Sequence, residues 1–362
     1  MYEKELEALK AKGRLRKRRV FSSNLVDLAS NDYLRLAHSG TLFERAIKRL
    51  RRYDAFAPKA SQLVNGYHPI HRDFERFAAK LHGFESALVV GSGFLGNLAL
   101  FETLPRKGDL LLIDEEYHAS GMLAAKLTHG KTAFFSRKDE TDLRRKLERS
   151  GKGGRVFAAI EGVYSMSGAI VEKSAIETIK AFDATLIIDE AHSGGVIGEN
   201  LLGALDFHGI SRENVVRLGT FGKAFGSYGA YIAASKEIVA FLENRAKSVI
   251  YSTAPSLFDV AYAFEAQKWV WSRRKLIAKA IRDAKSVAEQ NGYKTDSLIL
   301  PIAMKSDKAA MAAQRKLQKE GFLVGAIRRP SVKTPQLRAI LRENAAVLKR
   351  FFAALQTVAD RA

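Results

Sequence analysis

The chain has 362 residues, 47% of them hydrophobic, which predicts a globular protein with a large buried core. It contains no cysteine, so disulfides, thiolate metal sites and cysteine nucleophiles are excluded. With 59 basic and 39 acidic residues the formal net charge is +20, which favours acidic partners.

The N-terminal arm, residues 1–45, is expected to form a basic helix followed by the turn-rich stretch LASNDYLRLAHSG. Its first residues carry charges where a signal peptide is apolar, and no later apolar run has membrane-spanning length. We therefore expect a cytoplasmic protein that does not contact a membrane.

Seven of the ten residues 10–19 are basic, but the other basic residues are scattered rather than grouped with aromatic ones. We expect no nucleic-acid partner, whereas coenzyme A or an acidic carrier protein would be attracted by the same charge.

Residues 46–270 are predicted to form a large α/β domain. Short apolar runs alternate here with helical patterns, which is typical of a mainly parallel sheet covered by helices on both faces. The seven candidate strands lie at residues 87–90, 110–114, 132–135, 156–161, 185–189, 215–218 and 230–233.

Residues 271–362 are predicted to form a small α+β C-terminal domain. A long helical pattern over residues 256–290 leads to SLILPIAM, a helix from Asp307, GFLVGAI, QLRAIL and a last helix. These elements are too few for a second large domain.

The stretch TLIIDEAHSGG, residues 185–195, contains the Asp-Glu-Ala-His of many helicases. A nucleotide-driven motor also needs the phosphate loop GxxxxGK[ST], and no Gly-Lys pair in the sequence satisfies that pattern. A metal site of Asp189, Glu190, His192 and His118 is another interpretation. It is disfavoured because the adjacent side chains of Asp189 and Glu190 point to opposite faces of a strand. We therefore expect neither a motor nor a metal site.

Ligands of open α/β sheets bind beyond the carboxyl ends of the strands, so the residues after each apolar run are candidates for chemistry. Lys223 follows the sixth run, among Gly, Ala and Ser residues that leave room for a bulky group. This setting suits a lysine that forms a Schiff base. A surface lysine in a glycine turn and a phosphate-binding lysine are the alternatives for Lys223 considered alone.

Two further strand ends carry groups that suit an aromatic, cationic cofactor. Asp189 ends the fifth run and could hold a proton on a pyridine nitrogen by a charge-assisted hydrogen bond. His192 could reach a ring oxygen on the same edge, and His118, after the second run, offers a flat face for stacking. Either histidine considered alone is more often structural.

A phosphate site is indicated after the first run. Gly91, Gly93 and Gly96 precede or begin a helical pattern, whose first amides would be available to an anion, and Thr220 could add a hydroxyl. Together with the lysine, aspartate and histidines, this site predicts pyridoxal 5'-phosphate (PLP) as the cofactor.

Eight motifs lie along nearly the whole chain: LASNDYLRLA, VNGYHPIHRDFE, SGFLGN, YHAS, EGVYSMSG, DEAHSGGVIG, TFGKAFG and IYST. In content and order they resemble those of the α-oxoamine synthases, fold-type I PLP enzymes that join an amino acid to an acyl thioester with decarboxylation. The resemblance implies a PLP-dependent acyltransferase with the fold-type I transferase fold.

The resemblance also implies a role for each matching residue. Lys223 would be the Schiff-base and proton-transfer residue, and Asp189 would be the partner of the pyridinium. His192 and Ser165 would lie beside the ring oxygen. His118 would stack on the ring and contact the substrate.

Five further positions match the phosphate-binding residues of the family. Gly93 and Phe94 would offer their amides and Thr220 its hydroxyl. Ser252 and Thr253 match the stretch that reaches the phosphate of the neighbouring subunit, which implies an obligate homodimer with shared sites.

Arg16, Ser331 and Arg338 match substrate-binding positions of the family.

TFGKAFGSYGAY and VIYSTAPS are most similar to the member that condenses L-alanine with a pimeloyl thioester for biotin synthesis. Coenzyme A or an acyl carrier protein carries that thioester. Arg35 replaces a usual glycine, Ser167 replaces an aspartate, and RRPSVKTPQLR is shorter than in the family. These departures leave open the sister reactions of glycine or serine with acetyl, succinyl or palmitoyl thioesters. A PLP-dependent aminotransferase and a basic binding protein without catalysis are alternatives from other classes.

Overall fold

The computed structural model describes residues 1–150 and 153–359. The chain divides into two compact units. The terminal unit consists of Met1–Ser30, Met166–Gly168 and Ala280–Ala362, and the sheet unit consists of Asn31–Ser165 and Ala169–Lys279. The domain limits expected at residues 45 and 270 stay a prediction, and residues 360–362 of the expected C-terminal domain lie outside the described residues.

The regular elements are numbered here in chain order. The strands are β1 (Val26–Asp27), β2 (Ser86–Val90), β3 (Leu110–Asp114), β4 (Lys131–Phe135), β5 (Val156–Glu161), β6 (Thr185–Asp189), β7 (Val215–Thr220), β8 (Ala230–Ala234), β9 (Ile299–Ala303), β10 (Phe322–Leu323), β11 (Gly325–Ile327) and β12 (Gln336–Ile340). The helices are α1 (Glu3–Ala11), α2 (Gly40–Leu50), α3 (Pro69–His82), α4 (Gly93–Thr103), α5 (Ala119–Ala124), α6 (Glu140–Glu148), α7 (Lys173–Ala181), α8 (Ala204–Phe207), α9 (Lys236–Arg245), α10 (Lys247–Ile250), α11 (Leu257–Gln290), α12 (Asp307–Lys319) and α13 (Ala345–Ala359). The seven candidate strands coincide with β2 to β8 to within two residues at each end.

Within the described residues, seven strands of the sheet unit form one sheet in the order β2-β8-β7-β6-β5-β3-β4. β8 is antiparallel to both of its neighbours, and the other pairings are parallel. The predicted mainly parallel sheet is therefore confirmed. Because β2, β3, β5, β6 and β7 point the same way, their carboxyl ends meet at one edge.

Alternation along the strands separates two buried faces of this sheet. One face packs with α4 and α9 into an apolar core that includes Leu88, Ile113, Ile187 and Leu218. Asp189 follows Ile187 by two residues and continues this face toward α4. The next side chain along the chain must therefore turn to the other face.

Glu190 is that next residue, and it is buried on the other face with Arg217. The Nη1 atom of Arg217 lies 3.2 Å from Oε1 of Glu190, and both side chains are almost wholly inaccessible to water. The same carboxylate accepts the backbone N–H groups of Ala204, at 2.8 Å, and Leu205, at 3.2 Å, and the hydroxyl of Ser193 donates to it. Glu190 thus connects β6, β7 and the start of α8, and its carboxylate is fully engaged in structural contacts.

The terminal unit has two small sheets. β1 pairs in parallel with β10, and the order β11-β12-β9 forms an antiparallel sheet. α12 packs on these strands and on α13 around the buried side chains of Leu317, Leu337 and Phe351. The α+β character expected of the C-terminal region is confirmed. In the part of the chain that the structure describes, no helix combines the length and the apolar character needed to cross a bilayer.

We expect Glu190→Gln to destabilise the fold strongly, because the neutral amide leaves the buried guanidinium of Arg217 without its counter-charge. Removing one partner of a buried ion pair typically lowers the free energy of unfolding by about 3 to 5 kcal/mol. Denaturant unfolding followed by circular dichroism measures this change. Glu177→Gln is the matched control, since Glu177 forms an exposed pair with Lys173 at 3.4 Å. Such a pair contributes about 0.5 kcal/mol. Equal effects of the two variants would contradict a structural role for the buried pair.

Candidate active site at the carboxyl edge of the sheet

A cavity of about 240 Å³ opens at the carboxyl edge of the large sheet. The predicted site residues that line it are Gly93, Phe94, His118, Asp189, His192, Thr220 and Lys223. They come from the ends of four different strands and the segments that follow them, so the fold brings together residues that are far apart in the chain. Asn97, Ser120 and Glu161 also line the cavity, and sequence reasoning gave them no role.

Asp189 is buried at the end of β6 and accepts two hydrogen bonds. Its Oδ1 accepts the backbone N–H of Ala191 at 2.9 Å, and its Oδ2 accepts the side-chain amide of Asn97 at 3.1 Å. Both oxygens act as acceptors, which is the bonding of an ionised carboxylate. These bonds hold the carboxylate in place where it borders the cavity.

His118 is the residue that precedes α5, and its ring caps that helix. Its Nδ1 accepts the backbone N–H of Ser120 at 3.2 Å and lies 2.7 Å from the hydroxyl of Ser120. The pKa of His118 lies below its usual value because desolvation of the ring disfavours the imidazolium. Asp189 acts in the opposite direction, and Lys223 lowers the pKa further. The ring is therefore held neutral at physiological pH.

His192 is buried, and its Nδ1 lies 2.5 Å from the hydroxyl of Tyr33. Tyr33 is itself almost completely buried. Tyr33 lies in the motif LASNDYLRLA, but sequence reasoning gave the tyrosine no role. The order Ser-Asn-Asp-Tyr in that motif is the signal that could have found it. The contact restrains the orientation of the His192 ring.

Lys223 lies in a loop that folds back on itself between β7 and β8. The backbone N–H of Phe221 donates to the carbonyl of Gly229 at 2.9 Å, and the N–H of Gly226 donates to the carbonyl of Lys223 at 3.1 Å. Gly226 has a φ of 62°, and a Cβ there would lie 2.3 Å from the backbone nitrogen of Ala37. Only glycine fits this position, so the loop holds the backbone of Lys223 in one place.

The residues of the predicted phosphate site also meet in the structure. The hydroxyl of Thr220, at the end of β7, is buried without a hydrogen-bond partner among the described residues. A Cβ at Gly93 would lie 2.9 Å from Cγ2 of Thr220, so glycine keeps the space beside this hydroxyl open. α4 begins at Gly93, and the first amides of a helix have no partner within the helix. An unsatisfied buried hydroxyl is costly, and a bound anion with oxygen atoms would satisfy both groups.

Glu161 ends β5 and is buried beside Asp189. Its Oε2 accepts the backbone N–H of Ser165 at 3.0 Å, and Oε1 has no partner among the described residues. Burial, and next the charge of Asp189, raises the pKa of Glu161 well above its usual value. Burial and Asp189 therefore disfavour the charged form of Glu161. Ser165 is buried too, but the described lining of the cavity does not include it.

Ser252 and Thr253 lie before α11, and the described lining of the cavity does not include them either. Thr253 forms an isolated antiparallel bridge with Ser61. A role for these two residues toward a second subunit stays a prediction.

The three predicted substrate residues belong to the terminal unit. Nη2 of Arg16 lies 3.5 Å from the hydroxyl of Ser331, and both residues are exposed. Arg338 is buried on β12, opposite Gly325. In the sheet unit, Arg35, which replaces the usual glycine of the family, has a φ of 57°. This left-handed conformation explains why glycine is favoured there.

Among the described residues, no group of three or more His, Asp or Glu side chains is arranged to bind a metal ion. Of the four residues in the alternative metal interpretation, Asp189, His118 and His192 line the cavity, whereas Glu190 binds Arg217. The alternation of β6 is the physical reason for this separation.

Comparison with known proteins agrees with this arrangement. The model of the family "Aminotransferase class I and II" matches residues 23–355. The 8-amino-7-oxononanoate synthase of Helicobacter pylori (strain J99) is 45% identical over 344 residues, which cover 94% of this chain and 92% of the relative. The solved 8-amino-7-oxononanoate synthase of Francisella tularensis is 24% identical with a TM-score of 0.78, over 94% of this chain and 99% of that one. A serine palmitoyltransferase of S. paucimobilis, solved with a bound PLP–myriocin aldimine, is 21% identical with a TM-score of 0.88, over 99% and 98% of the two chains. The two structures show the shared fold, and the family match together with the Helicobacter relative shows that the chain belongs to the class I and II aminotransferases and, within them, to the α-oxoamine synthases.

Proposed function

We propose that the chain is a PLP-dependent, decarboxylating acyltransferase that condenses L-alanine with a pimeloyl thioester, the 8-amino-7-oxononanoate synthase reaction of biotin synthesis. The observation that carries the proposal is the meeting of Lys223, Asp189 and two histidines in one cavity, beside the hydroxyl of Thr220, which has no hydrogen-bond partner among the described residues. The name shared by two relatives from Helicobacter pylori supports the choice of substrates.

The cavity has a group for each part of the cofactor. The first amides of α4, at Gly93 and Phe94, and the hydroxyl of Thr220 would hold the phosphate. The carboxylate of Asp189 would hold the proton of the ring nitrogen, and the flat ring of His118 would stack on the pyridine. His192, with Ser165 near it in the family pattern, would border the ring oxygen.

The chain's own side chains then divide the chemistry between them. When bound, PLP supplies an electron sink for the bonds at Cα of the amino acid. Asp189 maintains that sink by opposing loss of the proton from the ring nitrogen. The amine of Lys223 would take the proton from Cα of alanine. The new carbon–carbon bond would displace the thiol of the carrier, and after the carboxylate has left as CO2 the same amine would return a proton to Cα. His118, which also lines the cavity, would contact the bound amino acid.

The carrier of the pimeloyl group and the assembly state belong to the same proposal. We assign coenzyme A or an acyl carrier protein as the carrier, because both are acidic and the net charge of the chain is +20. Ser252 and Thr253 would complete the site of a second copy, which makes the enzyme a homodimer. A cytoplasmic location follows from the expected carriers and stays a prediction.

Lys223→Ala should abolish the condensation. Loss of a positioned base typically lowers the rate by about 10² to 10⁴, and loss of covalent activation lowers it further. Thiol release from pimeloyl thioester with alanine, and without any keto acid, measures the reaction and distinguishes it from transamination. Lys236→Ala, at an exposed lysine in the first turn of α9, is the control and should retain full activity. Normal turnover by Lys223→Ala would contradict the mechanism.

Asp189→Asn should still bind the cofactor but turn over slowly, because a neutral amide cannot balance the positive ring nitrogen. Truncation of one partner of a buried charge pair costs about 3 to 5 kcal/mol, which corresponds to a loss of roughly two to four decades in kcat. Absorbance of bound cofactor and the rate of thiol release are measured on the same sample. Wild-type kcat in this variant would require a different role for Asp189.

We expect pimeloyl thioesters to be preferred over acetyl and succinyl ones, with a KM that rises with salt. Charge attraction between the basic chain and an acidic carrier is screened over a Debye length of about 8 Å at physiological ionic strength. Arg16→Ala should raise KM for the thioester more than Arg18→Ala, which removes the same charge two residues away. A KM that is independent of salt and unaffected by Arg16→Ala would remove electrostatic attraction from the mechanism. A preference for acetyl thioester with glycine would indicate a sister reaction at the same cofactor site.

A further inference from the structure

Two buried side chains, Asn97 of α4 and Ser120 of α5, connect Asp189 to His118 through hydrogen bonds, and the hydroxyl of Tyr117 holds Asn97 in place. The hydroxyl of Tyr117 donates to Oδ1 of Asn97 at 2.7 Å. Nδ2 of Asn97 donates to Oδ2 of Asp189 at 3.1 Å and to the hydroxyl oxygen of Ser120 at 3.0 Å. The same hydroxyl lies 2.7 Å from Nδ1 of His118. Asn97 is completely buried, and Tyr117 and Ser120 are nearly so.

The direction of each bond follows from the donors and acceptors available. The oxygen of the amide accepts from Tyr117, so the two N–H donors of the amide must face Asp189 and Ser120. The hydroxyl of Ser120 accepts one of them, which leaves its own proton to be donated to Nδ1 of His118. The backbone N–H of Ser120 donates to the same nitrogen, at 3.2 Å. A nitrogen that accepts hydrogen bonds carries no proton, so His118 is neutral with its proton on Nε2.

We propose that Asn97 is a positioning residue that keeps one of the two groups beside the cofactor charged and the other neutral. Asp189 is an ionised carboxylate, and His118 is a neutral ring with its proton on Nε2. One N–H of the amide stabilises the negative charge of Asp189. The other N–H orients the hydroxyl of Ser120 and, through it, the histidine. No other side chain in the described lining of the cavity donates hydrogen bonds to both Asp189 and Ser120.

Both charge states suit the proposed function, on which the chemical meaning of this network rests. A carboxylate is needed to balance a positive ring nitrogen, whereas an imidazolium stacked on that same ring would repel it. The amide achieves both without adding a charge of its own. Two ionisable groups nearby do not change the direction of this effect. The charge of Lys223, after β7, also opposes an imidazolium, and the raised pKa of Glu161, at the end of β5, disfavours a second carboxylate beside Asp189.

Nitrogen-15 NMR of selectively histidine-labelled full-length protein tests the proposal, both with cofactor and without it. The signals of His118 are identified by their loss in His118→Gln. In the wild type we expect Nδ1 of His118 to show the chemical shift of an unprotonated nitrogen and Nε2 that of a protonated one. A proton on Nδ1 would overturn the proposal without any need for a variant of the network.

Two variants then test the hydrogen bonds that lead from Asn97 through Ser120 to His118. Ser120→Ala should raise the titration midpoint of His118 by about one pH unit, because the neutral form loses one hydrogen bond. Asn97→Asp should raise it further, because the new carboxylate accepts the proton of Ser120 and adds a negative charge near the ring. The same charge beside Asp189 should weaken the absorbance of bound cofactor. An unchanged His118 midpoint in both variants would overturn the proposal.

Two controls separate the network from general damage to the fold. Ser235→Ala removes a serine hydroxyl outside the network, the one that caps the start of α9, and should leave His118 unchanged. His68 also accepts a backbone N–H at Nδ1, from Ile70 at 3.2 Å, so its signal should stay in place in every variant of the network. These NMR readouts do not depend on turnover. A wild type with the expected tautomer but no thiol release would refute the proposed function alone, and the opposite pair of results would refute this inference alone.

Discussion

The hydrogen bond between Asn97 and Asp189 joins helix α4 to strand β6, and both elements contribute residues to the site. α4 is the helix whose first turn borders the unpartnered hydroxyl of Thr220, and β6 is a central strand of the large sheet. Asp189 can make this bond because it follows Ile187 on the sheet face that packs under α4. If the strand shifted by one residue, Glu190 would take that place and the buried guanidinium of Arg217 would lose its counter-charge. The pleat of one strand thus fixes the cofactor-facing carboxylate and a structural ion pair together.

The carboxyl edge of the sheet contains buried polar side chains. Thr220 and Glu161 each have a buried oxygen without a partner among the described residues, and the pKa of Glu161 is raised by burial and by Asp189. Such groups lower the stability of a folded chain unless a ligand satisfies them. Elsewhere on the same sheet, Glu190 has several partners. The buried oxygens of Thr220 and Glu161 therefore fit a site for a bound molecule, whereas the carboxylate of Glu190 serves stability.

Hydroxyl contacts orient both histidines of the cavity. Ser120 contacts Nδ1 of His118, and Tyr33 contacts Nδ1 of His192. Since a histidine changes its hydrogen-bonding character when its proton moves, fixing one nitrogen also fixes what the ring offers to a ligand. The residues that hold the histidines are therefore as much part of the site as the histidines themselves.

The sequence by itself determined the order of strands and helices, because alternating apolar runs, helical periodicity and glycine turns are local signals. It also placed Asp189, Thr220 and Lys223 at the carboxyl edge, since these residues directly end or follow apolar runs. The partners of these residues were decided only by the tertiary structure. Asn97 lies 92 positions from Asp189, and Tyr33 lies 159 positions from His192, so no local pattern connects them. Hydrogen bonds between such distant residues depend on how the sheet and its helices pack, and it is that packing which places a single amide between a carboxylate and an imidazole.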